Sequence, residues 1–245
     1  MTYGFTMTAK IVPLSKEQHQ ALRVHFKQPF AHIAEEHLLP VVVHEFGPAA
    51  AVYPIVFVKN NDSNNYQPVV LLGLEPGKNL YLQDEQMQAT YVPISARNYP
   101  FFLTPDPEND KQLTIGIDEN SPRVSKDDGE ALYTEQGEET EMLQRAKQQL
   151  ADFFDTSRVT RTFVEKLTEL SLLEAKTLTV QVNGQKREIN GLFLVDEKKL
   201  NELSDEQFME LRKQGYLAPI YAHMLSVQQV QRLTRWQSEK ETAQA

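Results

Sequence analysis

Four apolar runs in the first half of the chain decide its fold class: LPVVVHEF (39–46), AVYPIVFVKN (51–60), QPVVLLGL (67–74) and YVPISARNYPFFL (91–103). Each run is dense in β-branched and aromatic residues over a length typical of strands, which predicts buried strands. No run is followed by a helical pattern of the kind that a parallel crossover needs. The sheet is therefore predicted to be mainly antiparallel.

The second half of the chain is predicted to be rich in helix. Apolar residues recur at helical spacing between Met142 and Leu173, which fits either two helices or one kinked helix. The pair Asn183–Gly184 predicts a β-hairpin, because a type I′ turn needs positive φ at both central positions. The predicted fold class is α+β, with a mainly antiparallel β-sheet in the first half and a helix-rich second half containing one β-hairpin.

Capping patterns and a polar stretch organise the chain further. Ser15 is predicted to begin a helix that runs from about Lys16 to Phe26. Further helix N-caps are predicted at Asp196, Ser204 and Ser226. The predicted regions are an N-terminal helix and β-rich part (1–120), a polar loop (121–139) and a helix-rich part with the hairpin (140–245), either separate or joined in one integrated domain.

Composition excludes several classes of protein. The chain has no cysteine, which removes disulfides and thiolate chemistry, and its net charge of −9 argues against nucleic-acid binding. No apolar run is long enough to span a membrane, and no secretory signal is visible, so a cytoplasmic location is expected. No phosphate loop or hydrolase motif occurs, and His32 and His37 do not have helical metal-ligand spacing, so we expect no cofactor and no metal site.

The candidate binding residues are aromatic side chains and one arginine within or beside the apolar runs. They are Tyr53, Tyr91, Arg97, Tyr99 and Phe101. Tyrosine, phenylalanine and arginine supply much of the binding energy at protein interfaces, so these residues predict a protein or peptide partner. The alternative is that the aromatic residues pack in the core and that Arg97 ties a loop to neighbouring carbonyl groups.

An enzyme is the competing hypothesis, with His44, Glu45 and His223 as candidate acid or base groups. In that case Arg97 would clamp a carboxylate or phosphate, and Tyr99 would donate to a developing oxyanion; Asp118 is a further ionisable candidate. Neighbouring residues on a strand point to opposite faces, which argues against a His44–Glu45 pair. His223 fits a packed structural histidine better than a catalytic one.

Five segments in order along the chain resemble the SapC family of bacterial proteins. They are EFGPAAAVYPIVF (45–57), LLGLEPGKNLYL (71–82), YVPISARNYPF (91–101), GLFLVDEKKL (191–200) and GYLAPIYAHMLS (215–226). The family takes its name from a surface-layer-associated locus. Its members are often encoded near tryptophan-halogenase-like and cupin-like oxygenases, so the resemblance implies an accessory role in modifying or handling a substrate.

Together these observations predict a noncatalytic binding or accessory protein that engages a protein or peptide partner. The alternative is an enzyme or small-ligand-binding protein that acts alongside oxygenase-type or halogenase-type modifying enzymes. A homo-oligomer is a third hypothesis, in which the final helix would supply a symmetric contact through Val227, Val230 and Leu233.

Overall fold

The protein was analysed as a computed structural model, which describes residues 9–25, 30–60, 65–83, 86–106, 109 and 112–243. These residues form two compact units that interleave along the chain. The first unit comprises the described residues of Met1–Ala34, Asp84–Gln86 and Ile94–Asp155, and the second comprises those of Glu35–Gln83, Met87–Pro93 and Thr156–Ala245.

The helices and strands have the following bounds. The strands are β1 (Ile11–Pro13), β2 (Arg23–Val24), β3 (Leu38–Pro40), β4 (Ile55–Lys59), β5 (Tyr66–Leu71), β6 (Leu82–Gln83), β7 (Gln86–Met87), β8 (Phe101–Pro105), β9 (Leu113–Asp118), β10 (Val124–Ser125), β11 (Glu130–Ala131), β12 (Leu173–Val182) and β13 (Gln185–Val195). The α-helices are α1 (Lys16–His19), α2 (Phe46–Ala50), α3 (Ile94–Arg97), α4 (Glu141–Glu169), α5 (Glu197–Asn201), α6 (Asp205–Lys213), α7 (Leu217–Ser226) and α8 (Val230–Ala243). Short 3₁₀ turns cover Ala31–Ile33, Val43–Glu45 and Val227–Gln229.

The first unit contains two small antiparallel sheets and the N-terminal part of α4. One sheet has the order β1-β9-β8 and the other has the order β10-β2-β11. The predicted polar loop 121–139 thus contributes two short strands that flank β2. Buried side chains from both sheets and from α4 form one core: Val24, Phe101, Ile115, Ile117, Leu132, Tyr133, Leu143 and Leu150.

The second unit is built on a five-stranded antiparallel sheet with the order β12-β13-β4-β5-β3. Its central strand β4 is buried along Ile55, Val56 and Phe57, as expected for a strand with neighbours on both sides. The turn between β12 and β13 has positive φ at both Asn183 (49°) and Gly184 (79°), which confirms the predicted hairpin. The α+β class with mainly antiparallel sheets is confirmed.

Two of the predicted strands are wrong in part. In the run 39–46, only the first two residues belong to a strand, β3 (Leu38–Pro40), and after Val42 the chain turns into the 3₁₀ segment Val43–Glu45 and α2. The Glu45 carboxylate accepts the Val42 N–H at 3.0 Å and so caps this turn, a contact that the apolar pattern does not reveal. In the run 91–103, α3 interrupts the extended chain and the strand begins at Phe101.

The helix predictions need correction at two places. The N-terminal helix ends at His19 and is followed by β2, while its predicted end at Phe26 lies outside the described residues. Of the two alternatives for the pattern from Met142 onward, the structure has the single helix, α4. Ser226 is the last residue of α7 and does not cap a helix, because its hydroxyl donates to the His223 carbonyl at 2.6 Å and accepts the Ile55 N–H at 2.9 Å.

Candidate functional site

A surface pocket of about 230 Å³ lies within the first unit. Its lining combines charged, amide and apolar side chains: Arg97, Asn98, Tyr99, Phe101, Glu130, Met142, Arg145, Ala146 and Gln149. Three of these residues, Arg97, Tyr99 and Phe101, are candidate binding residues from the sequence. The structure therefore brings more than half of the predicted binding patch to one concave surface.

Two segments of chain shape most of the pocket. The turn after α3 is closed by the Asn98 N–H donating to the Ile94 carbonyl at 2.9 Å and by the Phe101 N–H donating to the Asn98 carbonyl at 2.9 Å. The second segment is one face of α4. It carries the lining residues Met142, Arg145, Ala146 and Gln149, which are spaced as i, i+3, i+4 and i+7. Such spacing places side chains along one stripe of a helix.

Tyr99 is held in a fixed position within the first unit. Its ring stacks on the His32 ring with centroids 3.9 Å apart and an interplanar angle of 9°, and the Arg123 guanidinium lies 5.8 Å from the Tyr99 ring centroid. Its hydroxyl donates to Asp118 Oδ2 at 3.2 Å. Asp118 also accepts the Lys10 N–H at 2.8 Å. This carboxylate, a candidate reactive group in the sequence, thus ties Lys10 and the Tyr99 hydroxyl to β9.

Burial sets the protonation state of the groups around Tyr99. Desolvation raises the pKa of Tyr99 to about 12, so the phenol keeps its proton at neutral pH. Desolvation and the nearby Arg123 charge lower the pKa of His32 to about 3, so this imidazole is neutral. The stacked pair therefore presents neutral rings, and the cationic charge lies on arginine side chains.

The rim of the pocket carries both signs of charge. Arg97, Glu130 and Arg145 are all exposed. Arg145 forms an ion pair with Glu141 at 2.8 Å, and because both side chains are more than two-thirds exposed this pair contributes little to stability. Asn98 Nδ2 is buried and has no hydrogen-bond partner among the described residues.

The remaining candidate binding residues, Tyr53 and Tyr91, belong to the second unit, where hydrogen bonds link them to each other and to Glu45. The Tyr91 hydroxyl donates to Glu45 Oε1 at 2.6 Å, and the Tyr53 hydroxyl donates to the Tyr91 carbonyl at 2.6 Å. Tyr53 and Glu45 are buried, with exposed fractions of 0% and 2%. Tyr53 packs against Tyr81 with ring centroids 4.6 Å apart. These contacts describe a buried polar network that holds the chain after α2.

The three candidate acid or base groups do not share a surface. His44 is exposed, whereas Glu45 is buried in the network with Tyr91. His223 is fully buried: its Nε2 accepts the Val195 N–H at 3.0 Å and its Nδ1 donates to the Ile55 carbonyl at 2.9 Å. Both ring nitrogens thus link α7 to β13 and β4, as expected for a structural histidine.

Several lining residues were missed by the sequence analysis. Asn98, Glu130, Arg145 and Gln149 are polar lining residues, and none was a candidate. The sequence did contain a signal for two of them: Arg145 and Gln149 lie on the same predicted helix stripe as the apolar residues Met142 and Ala146. Glu130 had no such signal, because only the pairing of β11 with β2 brings it near the pocket residues.

Fold and pocket define this chain as an α+β protein with a small concave surface of mixed polar and apolar lining. The model of the SapC family matches residues 14–233, and the chain belongs to that family. A search of the curated proteins and a search of the solved structures each returned no significant match.

Within the part of the chain that the structure describes, no helix combines the length and apolar character needed to cross a membrane. Within the same residues, no group of three or more histidine, aspartate or glutamate side chains is placed to hold a metal ion.

Proposed function

We propose that this protein is a noncatalytic binding or accessory protein and that its pocket engages a protein or peptide partner, in the cytoplasm. One observation carries the proposal: Arg97, Tyr99 and Phe101 line the same concave surface. Arginine and aromatic residues next to a pocket are the usual composition of an interface hot spot. A rigid aromatic wall also lowers the entropy that binding would otherwise cost.

The size of the pocket supports a partner of this kind. A volume of about 230 Å³ lies below the roughly 300–1,000 Å³ typical of sites for drug-sized ligands and cofactors. It suits one or two side chains inserted from a larger molecule. The fixed ring of Tyr99 and the exposed Arg97 give such an insertion both an apolar and a charged contact.

The enzyme hypothesis has less support. Catalytic acid and base groups need to reach one substrate. His223 uses both ring nitrogens in backbone hydrogen bonds, and Glu45 is occupied by the Val42 N–H and the Tyr91 hydroxyl.

The test is capture of partners by the tagged full-length protein from its native lysate, followed by mass spectrometry. Tyr99 is unsuitable for truncation because it is only 5% exposed and its loss would disturb the core. The test variant is therefore the double substitution Arg97→Ala and Arg145→Ala. Arg161→Ala is the matched control, because Arg161 is another exposed arginine of α4 that does not line the pocket.

We expect a protein that is enriched by wild type and by Arg161→Ala and is lost from the double variant. Unchanged thermal unfolding of the double variant would show that the loss is not caused by unfolding. Enrichment that is equal in all three proteins would contradict the proposal. A small molecule retained without a protein would favour the small-ligand-binding alternative instead.

A further inference from the structure

The polar groups of the pocket indicate which chemistry the partner presents. Arg97 and Arg145 both line the pocket and are both exposed, so its lining includes two guanidinium groups.

A carboxylate is the acceptor that these donors fit best. Guanidinium groups bind carboxylates through two parallel hydrogen bonds, and charge-assisted bonds of this kind are stronger than neutral ones. Arg145 can exchange partners at little cost, because its ion pair with Glu141 is formed between exposed side chains.

The same pocket limits how much negative charge the partner can carry. Glu130 is exposed at the rim and would repel a second carboxylate. The net charge of −9 also opposes the approach of a strongly acidic molecule. A single acidic group is thus favoured over an acidic run, and Glu130 remains as an acceptor for a peptide N–H group.

An apolar neighbour is expected beside the acidic group. Phe101, Met142 and Ala146 give the pocket an apolar wall. Met142 and Ala146 are half-buried and pack against the core of the unit, so the wall is supported from behind. Methionine and aromatic surfaces accept a range of aliphatic and aromatic side chains.

We infer that the pocket recognises a peptide segment in which one aspartate or glutamate side chain stands beside an apolar side chain. The inference rests on the proposed function, since it names the chemistry of the partner at the same site. Arg97 and Arg145 bind the carboxylate, the apolar wall receives the neighbouring side chain, and Glu130 accepts a main-chain N–H.

The test uses the full-length protein and a library of random hexapeptides with acetylated amino termini and amidated carboxyl termini. Enriched peptides are labelled and their dissociation constants are measured by fluorescence anisotropy. We expect enrichment of peptides with one acidic residue beside an apolar one. Arg97→Ala should raise the dissociation constant about 10- to 100-fold, as expected for loss of hydrogen bonds to a charged group.

Three comparisons make the expected result specific. Arg97→Lys should recover only part of the affinity, because lysine keeps the charge and loses the planar fork. Replacing the acidic peptide residue by its amide should weaken binding to wild type and should have little further effect on Arg97→Ala, since the two changes remove the same contact. Arg161→Ala should bind like wild type.

Other outcomes overturn the inference in distinguishable ways. Enriched peptides without an acidic residue, whose binding still depends on Arg97, would refute the carboxylate and leave the proposed function standing. A parallel library with free carboxyl termini that gives stronger, Arg97-dependent binding would replace the side-chain carboxylate by the terminal one. Absence of any enriched peptide, or binding indifferent to Arg97→Ala and Arg145→Ala, would refute both the inference and the proposed function at this pocket.

Discussion

His223 offers a direct test of the energetics of the second unit. Its Nε2 accepts the backbone N–H of Val195, and a backbone N–H can only donate. The proton of the neutral ring must therefore lie on Nδ1, which donates to Ile55. Protonation of Nε2 would place two donors against each other in a buried site, so folding favours the neutral ring.

The expected loss in the free energy of unfolding follows from the pKa of His223. Burial lowers the pKa of His223 from its ordinary value of 6.5 to about 4, so the unfolded chain binds a proton at a pH where the folded chain does not. Stability from this group is complete above the unfolded pKa and falls as the pH drops from about 6.5 to about 4. At about 1.4 kcal/mol per pKa unit, about 2 to 3 kcal/mol is lost between about pH 7.5 and about pH 4.5.

The assay is urea unfolding of wild type and His223→Gln at the two pH values. The chain has one tryptophan, Trp236 in α8, whose ring packs on Tyr81 in the same unit as His223. The fluorescence of Trp236 therefore reports on unfolding of the second unit, which contains His223. We expect acidification to cost wild type about 2 to 3 kcal/mol more than it costs the glutamine variant, which has no titrating group there. Equal losses in the two proteins would refute the reasoning.

Two further predictions concern single contacts in the second unit. Tyr91→Phe should lower the free energy of unfolding by about 1.5 to 3 kcal/mol, because it removes the 2.6 Å hydrogen bond to the buried Glu45 carboxylate; an unchanged urea midpoint would show that this bond contributes nothing. Gly73→Ala should destabilise by about 1 to 3 kcal/mol, since a Cβ there would overlap the Lys78 carbonyl oxygen. Gly47→Ala is the control: apart from its chain neighbours the new Cβ meets open space, so this variant should destabilise by less than Gly73→Ala, and equal melting temperatures for both variants would contradict the steric argument.

The structure also bears on the predicted oligomer contact. Leu233 is completely buried, and Val227 and Val230 are half-buried. The face of α8 that carries Leu233 therefore packs within its own chain. Leu233 is therefore not accessible for a symmetric contact, whereas Val227 and Val230 keep exposed surface, and light scattering at two protein concentrations would detect such a contact.

The residues of the candidate site show how far sequence reasoning reached. Arg97, Tyr99 and Phe101 were selected by residue type alone, because arginine and aromatic residues are enriched at the hot spots of protein interfaces. The same criterion grouped them with Tyr53 and Tyr91, which lie in the other unit and satisfy a buried network. Composition could not separate the two sets, because tyrosine occurs in both and both lie in apolar runs.

Local structure was determined by the sequence wherever the deciding contacts span only a few residues. The Asn183–Gly184 turn follows from the φ angles that those two residues tolerate. The Asp196 cap and the Ser204–Gln207 capping box follow from side chains that reach backbone groups two or three residues away. No other part of the chain is needed to form these features.

Only the tertiary structure decided the features that depend on distant segments. The five-stranded sheet joins β3, β4 and β5 to a hairpin more than a hundred residues later. The valine-rich run at 41–43 leaves the sheet after Val41, whose N–H still donates to the Pro68 carbonyl of β5, and turns into the 3₁₀ segment Val43–Glu45. The pocket likewise needs α3, β11 and α4 at one place. Burial and long-range pairing outweigh local β-propensity, which is weak and depends on context, so neither feature could be predicted from the sequence alone.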